Sequence, residues 1–423
     1  MKNKLIASAK EKDILVEITM ERCKRTSINA LNGKLKLFQT DDISSYIIKA
    51  IKDGKCIKIA LESLNEPERI IANLLKIFSL TDNDNENRFC QGNECFTEEA
   101  EVIDFSNVRK DVLALDKIKD KYKEIENIEV GYTNYKEEKQ IDNESCALKE
   151  STYYNEYYAT VTLAKDDTKR VIYISYYTKC YDMESFINYI LEKIDVGLLK
   201  LDSESVKTDK YKIILTGNAV ASILTAFLPS FMSKNIFLQE SILTNKIGEK
   251  VFSDKISIVE EPKKGIRSVA FDNEGTLKKN QVIVENGKFI KKLNNLEYAL
   301  KLDEEPTGNA GSINNLYIMP GKKTFDELLK NLDNGIVIDE LYGLHSGINL
   351  LSGNISLQAE GMFVKDGKMI KGLNMVILTT NFLELFNNVV EVGSSIRPVS
   401  LSVLAPDLLI DNIVVTGKRW LYE

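Results

Sequence analysis

Four short turns of one type set the strongest limits on how this chain folds. Asn-Gly and Asp-Gly accept the positive φ that both central positions of a type I′ turn require, so each such pair between apolar alternations predicts a β-hairpin. The four turns are Asn32-Gly33-Lys34, Asp53-Gly54-Lys55, Asn286-Gly287-Lys288 and Asp366-Gly367-Lys368. Both ends of the chain are therefore predicted to contain antiparallel sheet.

The length of 423 residues predicts about three domains at roughly 150 residues each. Hydrophobic residues make up 43% and charged residues 28%, which is enough apolar material for a sizeable core. We expect an N-terminal α/β domain over 1–100, a central domain over 101–204 and a larger β-rich domain over 205–423. The predicted fold class is α+β, with a buried helix in the C-terminal half.

An uncharged segment, 213–233, is long enough to cross a bilayer. Its apolar residues recur at helical spacing after Asn218, a candidate N-cap, and Pro229 would end the helix. We therefore expect a strand to about Thr216 and then a buried helix, with no membrane span. The apolar stretch after Met1 is too short for a signal peptide, so the cytoplasm is the predicted compartment.

Further elements follow from periodicity and composition. Eight of the 18 tyrosines lie between residues 153 and 181, on two predicted strands at about 152–164 and 170–180. These tyrosines could form a surface for a peptide or a partner protein, or simply pack within the sheet. Amphipathic helices are predicted over 66–80 and 183–199, a charged and solvated helix over 108–122, and shorter helices over 324–332 and 382–390.

Histidine usage excludes several kinds of active site. The chain contains one histidine, His345, so no multi-histidine metal site can form. Asp339 and Glu340 lie nearby in sequence, which leaves open a general base, although a hydrogen-bonded structural histidine is favoured. The net charge of −7 argues against a nucleic-acid surface. No P-loop occurs and no GxGxxG follows a strand, so no cofactor is predicted.

Other candidate groups have simple explanations. Cys90 and Cys95 are spaced as C-x4-C, which could be a metal or redox pair but is interpreted as two reduced thiols in a polar loop at 82–100. The adjacent acids Glu260-Glu261 and Glu304-Glu305 are interpreted as solvated loop charges.

Two segments rich in small and polar residues remain as candidates for a substrate or partner groove. Glycines there allow a second backbone to approach closely, although tight turns between strands explain them equally well. The candidate residues are Thr307, Gly308, Asn309, Gly311, His345, Gly347, Asn349, Ser352, Gly353, Asn354 and Ser356.

The C-terminal segments resemble the TldD/PmbA family, also called modulator of DNA gyrase proteins. A weaker similarity lies at IKDGKCIKIALES (51–63). The segments that carry the resemblance are KIGEKVF (246–252), FDNEGTLKKNQVIVENGKF (271–289), PTGNAG (306–311), SGINLLSGNISLQAEGMFVKDGKMI (346–370) and LTTNFLELFNNVVEVGSS (378–395).

The resemblance implies which kind of family member this is. The TldD kind carries an HExxxH helix that holds a catalytic metal, and the TldE/PmbA kind lacks it. The corresponding helix here, VASILTAFLPSFM (220–232), contains no His, Glu, Asp or Cys. The resemblance thus implies a non-catalytic subunit of a cytosolic heterodimeric metalloprotease that processes unfolded polypeptides or peptide precursors. Its catalytic metal would come from a TldD-like partner.

Two alternatives stay open at this point. The chain could be a homo-oligomeric protein, a homodimer for example, that binds a peptide or regulates without cleaving it. It could also be an enzyme that uses His345 with Asp339 or Glu340.

Overall fold

The computed structural model describes residues 1–82, 89–311 and 313–417 and shows a β-rich α+β fold. The α-helices of this part are α1 (Lys2–Lys10), α2 (Pro67–Phe78), α3 (Phe105–Ala114), α4 (Ile118–Lys121), α5 (Met183–Leu201), α6 (Gly217–Phe227), α7 (Ser233–Phe237), α8 (Leu296–Lys301), α9 (Phe325–Leu332) and α10 (Phe382–Asn387). The strands of the first half are β1 (Leu15–Leu31), β2 (Lys34–Lys52), β3 (Lys55–Leu61), β4 (Gly92–Thr97), β5 (Ile125–Asp142), β6 (Cys146–Lys165), β7 (Thr168–Thr178) and β8 (Ser203–Glu204). Those of the second half are β9 (Asp209–Leu215), β10 (Ile258–Glu260), β11 (Gln281–Glu285), β12 (Lys288–Phe289), β13 (Leu316–Ile318), β14 (Gly335–Tyr342), β15 (Asn354–Lys365), β16 (Lys368–Asn381), β17 (Val389–Ile396), β18 (Val403–Leu404) and β19 (Pro406–Thr416).

The four predicted hairpins are confirmed. They join β1 to β2, β2 to β3, β11 to β12, and β15 to β16, all antiparallel. In the first turn Asn32 has φ 48° and Gly33 has φ 71°, and the other three turns show the same pair of positive angles. Positive φ at both central positions is what the Asn-Gly and Asp-Gly pairs permit.

The N-terminal half contains one seven-stranded sheet. Its order is β3-β2-β1-β5-β6-β4, with β7 also paired to β6. Helix α5 covers one face of this sheet and buries Phe186, Ile190 and Ile194 against a core that includes Tyr132 and Tyr157. Strands that precede residue 100 in the sequence and strands that follow it share this sheet. The domain boundary expected at residue 100 stays a prediction.

The C-terminal half contains a seven-stranded and a five-stranded sheet. Their orders are β17-β19-β9-β14-β15-β16-β8 and β12-β11-β10-β13-β18. Helix α6 follows β9 directly, as predicted, and its residues Val220, Ile223, Leu224 and Phe227 are fully buried in a core shared by both sheets. None of the described helices combines the length and apolar character needed to cross a membrane.

Some predicted boundaries are wrong for local reasons. The helix expected over 108–122 divides into α3, a 3₁₀ turn and α4. The helix expected over 382–390 ends at Asn387, because the chain enters β17 at Val389. Helix α6 begins at Gly217 with Thr216 as its N-cap residue, not with Asn218.

Charged groups join the two halves of the chain. Lys200 at the end of α5 donates hydrogen bonds to Asp339 (2.6 Å) and Glu340 (2.9 Å) of β14. The Lys200 and Asp339 side chains are only 1% and 4% exposed. Arg170 of β7 makes a further ion pair with Glu360 of β15. Removing one partner of a buried ion pair of this kind is strongly destabilising, because the other charge is left buried without compensation.

The prediction that Cys90 is a reduced thiol in a polar loop is wrong. Cys90 is buried and forms a disulfide with Cys146 at the start of β6, with Cα atoms 5.9 Å apart. This pair packs against Ala270 and Phe271 of the C-terminal half. Cys95 is exposed and free. The middle of the predicted polar loop, residues 83–88, lies outside the described residues.

Candidate functional site

A groove of about 550 Å³ runs along the outer side of α6. We call it the α6 groove. Because α6 buries its apolar stripe in the core, the opposite face, at i, i+4 and i+7 spacing, is left toward solvent. That face contributes Asn218, Ser222 and Thr225 to one wall of the groove. The other lining residues are Ala221, Ala226, Leu344, His345, Ile348, Leu350, Ser400 and Val403.

The hydroxyl groups of this wall are partly used by the helix itself. Ser222 Oγ donates to the Asn218 carbonyl oxygen (2.9 Å), and Thr225 Oγ1 donates to that of Ala221 (2.7 Å). Such bonds to the carbonyl four residues earlier occupy the hydroxyl proton and leave the oxygen as an acceptor. The wall therefore offers hydrogen-bond acceptors and one amide, and no charged group.

The groove does not supply the ligands of a catalytic zinc ion. Zinc in proteins is held by Cys, His, Asp or Glu, and His345 is the one such residue in the lining of this groove. Within residues 1–82, 89–311 and 313–417, no group of three or more such side chains is placed to hold a metal. The residues present therefore do not fit the metal of the TldD kind.

His345 lies at the rim of the groove with an exposed side chain. The structure gives its ring no hydrogen bond within the described chain, and the predicted role as a hydrogen-bonded structural histidine stays a prediction. Asp339 and Glu340 instead face Lys200. Burial works to raise the pKa of Glu340, but Lys200, Tyr342 and Arg170 outweigh it and lower this pKa to about 2. The structure thus gives His345 no acidic partner among its sequence neighbours.

The first predicted segment, 306–311, surrounds a buried carboxylate. Glu260 at the end of β10 is 1% exposed and forms an ion pair with Lys278 (3.2 Å), which is equally buried. Its other oxygen accepts hydrogen bonds from Gln281 (2.6 Å) and Asn309 (2.9 Å). Thr307 donates to Asn309 Oδ1 (2.8 Å). The interpretation of Glu260 as a solvated loop charge is therefore wrong.

Gly308 and Gly311 shape the turn around this carboxylate. Both have positive φ, 77° and 76°, and a Cβ on Gly311 would lie 2.3 Å from the side-chain nitrogen of Asn273. The backbone N–H of Ala310, between Asn309 and Gly311, donates to the buried Asp272 (2.9 Å). The segment is thus a tightly packed turn whose polar groups are directed inward.

The second predicted segment, 347–356, forms the loop that leads into β15. Asn349 Oδ1 accepts from the backbone of Leu351 and Ser352, and the Gly353 N–H donates to the Asn349 carbonyl. The remaining predicted residues complete the loop. A Cβ on Gly347 would lie 2.3 Å from the Ser356 carbonyl oxygen. Ser352 Oγ accepts a hydrogen bond from the Asn354 N–H. The side chain of Asn381 donates a hydrogen bond to the Ser352 carbonyl oxygen.

The two segments belong to different surfaces. Thr307 lines an open cavity of about 680 Å³ with Lys279 and Lys291. His345, with Ile348 and Leu350 of the second segment, lines the α6 groove. No hydrogen bond or ion pair joins one segment to the other in the described chain. The structure therefore brings His345 beside α6, and leaves Thr307, Gly308, Asn309 and Gly311 around Glu260.

Sequence reasoning missed the start of α6. Asp407 of β19 is buried and accepts the Gly217 N–H (2.7 Å), which places a carboxylate at the N-terminus of the helix. Burial raises the pKa of Asp407, and the hydrogen bond from Gly217 and the charge of Arg397 oppose that increase. Because 190 residues separate Asp407 from Gly217, no local pattern could have linked them.

Comparison with known proteins gives a consistent assignment. Residues 208–417 match the family model of the PmbA/TldA metallopeptidase C-terminal domain. The chain is 29% identical over 224 residues to a metalloprotease PmbA homolog of Buchnera aphidicola, covering 52% of this chain and 50% of that relative. It is 26% identical over 219 residues to the metalloprotease PmbA of Escherichia coli O157:H7, covering 50% and 48%. The chain spans about half the length of the curated relatives it matches.

Solved structures resemble the chain over nearly its whole length. A Thermotoga maritima protein described as a modulator of a DNA gyrase has a TM-score of 0.86 at 27% identity, covering 98% of this chain and 99% of that one. TldE from Thermococcus kodakarensis shares the fold, with a TM-score of 0.84 at 20% identity over 98% of this chain and 100% of that one. The match of residues 208–417 to the family model, together with the fold shared with the Thermotoga maritima protein, shows that this chain belongs to the TldD/PmbA family of metallopeptidase-like proteins.

Proposed function

We propose that the chain is the non-catalytic, TldE-type subunit of a cytoplasmic two-subunit metalloprotease. In this proposal a TldD-like partner supplies the catalytic metal, and the substrate is an unfolded polypeptide or peptide precursor. The observation that carries the proposal is the composition of the α6 wall. Asn218, Ser222 and Thr225 stand on the helix that would hold the HExxxH motif in a TldD-like chain, and none of them is a zinc ligand.

The α6 groove supports a role in holding an extended peptide. Its lining mixes apolar side chains with hydroxyl and amide groups and includes a single ionisable residue, His345. Ligand pockets in general are lined mostly by apolar side chains, with a few polar groups that fix the orientation of the bound molecule. In the proposed complex this wall holds the substrate while the partner performs the hydrolysis.

The test compares the chain alone with the chain co-expressed with a TldD-like protein from the same genome. Both samples are purified and assayed for bound metal by elemental analysis and for cleavage of an unstructured peptide. We expect stoichiometric metal and cleavage only in the co-purified complex. Metal or cleavage in the chain alone, or failure of the two chains to co-purify, would overturn the proposal.

A substitution in the α6 groove tests whether this chain contributes to the substrate cleft. Thr225→Trp should fill the groove and reduce kcat/KM of the complex by about tenfold or more, with its metal content unchanged. The matched control is Lys76→Trp, an equally drastic change at an exposed position on α2. Equal activity of the Thr225→Trp and control complexes would show that the groove does not hold substrate.

A further inference from the structure

A second open cavity lies in the C-terminal half, beside the PTGNAG turn. Its volume is about 680 Å³, against about 550 Å³ for the α6 groove. It is lined by Ile247 and by parts of the segments 276–281, 290–294 and 304–307, and we call it the Lys279 cavity. The two sets of lining residues have no member in common, so the Lys279 cavity is a separate surface from the α6 groove.

Three large apolar side chains are exposed in the Lys279 cavity. Ile247, Leu277 and Ile290 are 47%, 40% and 39% exposed. They come from three separate segments of the chain, so it is the fold that brings them to one concave surface. Single exposed apolar side chains are normal in proteins, whereas several that line one cavity are typical of a binding site.

The cavity also carries an excess of positive charge. Lys292 forms an ion pair with Glu304 (2.8 Å), so these two charges balance each other. Lys279 and Lys291, which also line the cavity, have no ion pair in the part of the chain that the structure describes. The one acidic side chain left in the lining is Glu305. Because the whole chain has a net charge of −7, this local excess favours an acidic ligand at a place where the overall charge would repel one.

Polar side chains of the cavity wall are held in fixed positions. The Asn294 N–H donates to Thr307 Oγ1 (2.7 Å), and the Thr307 N–H donates to Asn294 Oδ1 (2.8 Å). Gln281, which also lines the cavity, donates to the buried Glu260 (2.6 Å). A ligand therefore meets a wall that is already ordered, which lowers the entropic cost of binding.

We propose that the Lys279 cavity binds a short peptide segment that carries both acidic and apolar side chains. Its carboxylates pair with Lys279 and Lys291, and its apolar side chains contact Ile247, Leu277 and Ile290. A peptide is favoured over a nucleic acid because the lining contains no aromatic side chain on which a base would stack. The site goes beyond the proposed function and does not rest on it, since it requires neither the α6 groove nor a catalytic partner.

The first test measures binding to the purified chain without any partner protein. Two short fluorescein-labelled peptides share their leucine, glycine and serine positions and differ only in carrying glutamates or lysines. We expect fluorescence anisotropy at about 0.05 M salt to show about tenfold tighter binding of the acidic peptide, and about 1 M salt to remove this difference by screening. Equal affinities at low salt, or no binding of the acidic peptide, would overturn the proposal.

Charge reversal in the cavity tests the role of the two lysines. Lys279→Glu combined with Lys291→Glu should weaken the acidic peptide by about tenfold or more, because two attractions become repulsions. The matched control is Lys76→Glu combined with Lys165→Glu, which changes the net charge equally at two exposed positions of the N-terminal half. Similar affinities of the cavity variant and the control variant for the acidic peptide would contradict the site.

A third variant tests the apolar contact. Leu277→Ser should weaken the acidic peptide by about fivefold, because less apolar surface is then removed from water. The control is Leu351→Ser, at a leucine that is 60% exposed and lies outside the cavity lining. A single-stranded DNA oligonucleotide that binds as tightly as the acidic peptide, with no effect of Leu277→Ser on either ligand, would identify a general polyanion surface and overturn the peptide assignment.

These measurements separate the Lys279 cavity from the α6 groove. Loss of acidic-peptide binding in Thr225→Trp, with binding retained in the double lysine variant, would place the peptide in the α6 groove and overturn the proposal. The readout needs neither metal nor cleavage. Its failure would therefore leave the proposed two-subunit protease unchanged, and failure of that proposal would leave this site unchanged.

Discussion

At the scale of single residues, Glu260 shows how a buried charge organises the PTGNAG turn. Its carboxylate is surrounded by Lys278, Gln281 and Asn309 and is closed off from water. Sequence reasoning failed here because Glu260 and Glu261 are adjacent acids, yet consecutive residues of a strand point to opposite faces. Glu261 is the more exposed of the two and pairs with Lys264 at 2.7 Å.

Neutralising this carboxylate should be costly. We expect Glu260→Gln to lower the free energy of unfolding by about 3 kcal/mol, because the buried Lys278 ammonium would then face a neutral amide. The matched change Glu261→Gln should cost at most about 1 kcal/mol, since exposed ion pairs contribute little. Urea unfolding followed by circular dichroism measures both, and equal losses would contradict this account.

At the scale of elements, the turns and the amphipathic helices were predictable from local chemistry. The four hairpins and α5, whose N-cap residue Asp182 accepts a hydrogen bond from the Ser185 N–H, needed no knowledge of distant residues. Two other features depend on tertiary contacts. One is the division of the helix expected over 108–122, and the other is the hydrogen bond from the Gly217 N–H at the start of α6 to Asp407. For the same reason the α6 groove was not predicted, since its walls come from three segments that are distant in sequence, 218–226, 344–350 and 400–403.

The Asp407 carboxylate at the start of α6 makes the stability of the folded chain depend on pH, and the direction of this dependence can be predicted. Since burial raises its folded pKa, the folded chain binds this proton more tightly, and the contribution of Asp407 to stability falls as pH rises above the unfolded value of about 3.9. Asp407→Asn retains an oxygen acceptor for Gly217 and removes the titration. We therefore expect this variant to gain stability relative to the wild type as pH rises from about 4.

The measurement is thermal unfolding at a series of pH values between 4 and 7. The quantity compared is the unfolding temperature of the variant minus that of the wild type at each pH. Asp407→Ala controls for the loss of the helix cap itself and should be less stable than Asp407→Asn throughout. A difference between Asp407→Asn and the wild type that does not change with pH would show that Asp407 has an ordinary pKa.

At the scale of the whole molecule, the two halves of the chain meet through charge. Lys200→Met should lower the free energy of unfolding by about 3 kcal/mol at pH 7, because Asp339 would be left buried without its cation. The control Lys371→Met removes an exposed pair with Glu204 and should cost about 1 kcal/mol or less. Equal urea midpoints for the two variants would contradict a structural role for the Lys200 contact.

The pairing of β1 with β5 also constrains how the chain folds during its synthesis. Leu31 pairs with Glu129 and Ile18 with Asp142, so the centre of the N-terminal sheet forms only after the intervening helices have left the ribosome. Until then the first two hairpins expose both of their edges to other nascent chains. Contacts so distant in sequence form slowly, and such intermediates are prone to aggregate. A growing chain of this architecture therefore depends, until β5 has been made, on being kept apart from its own copies.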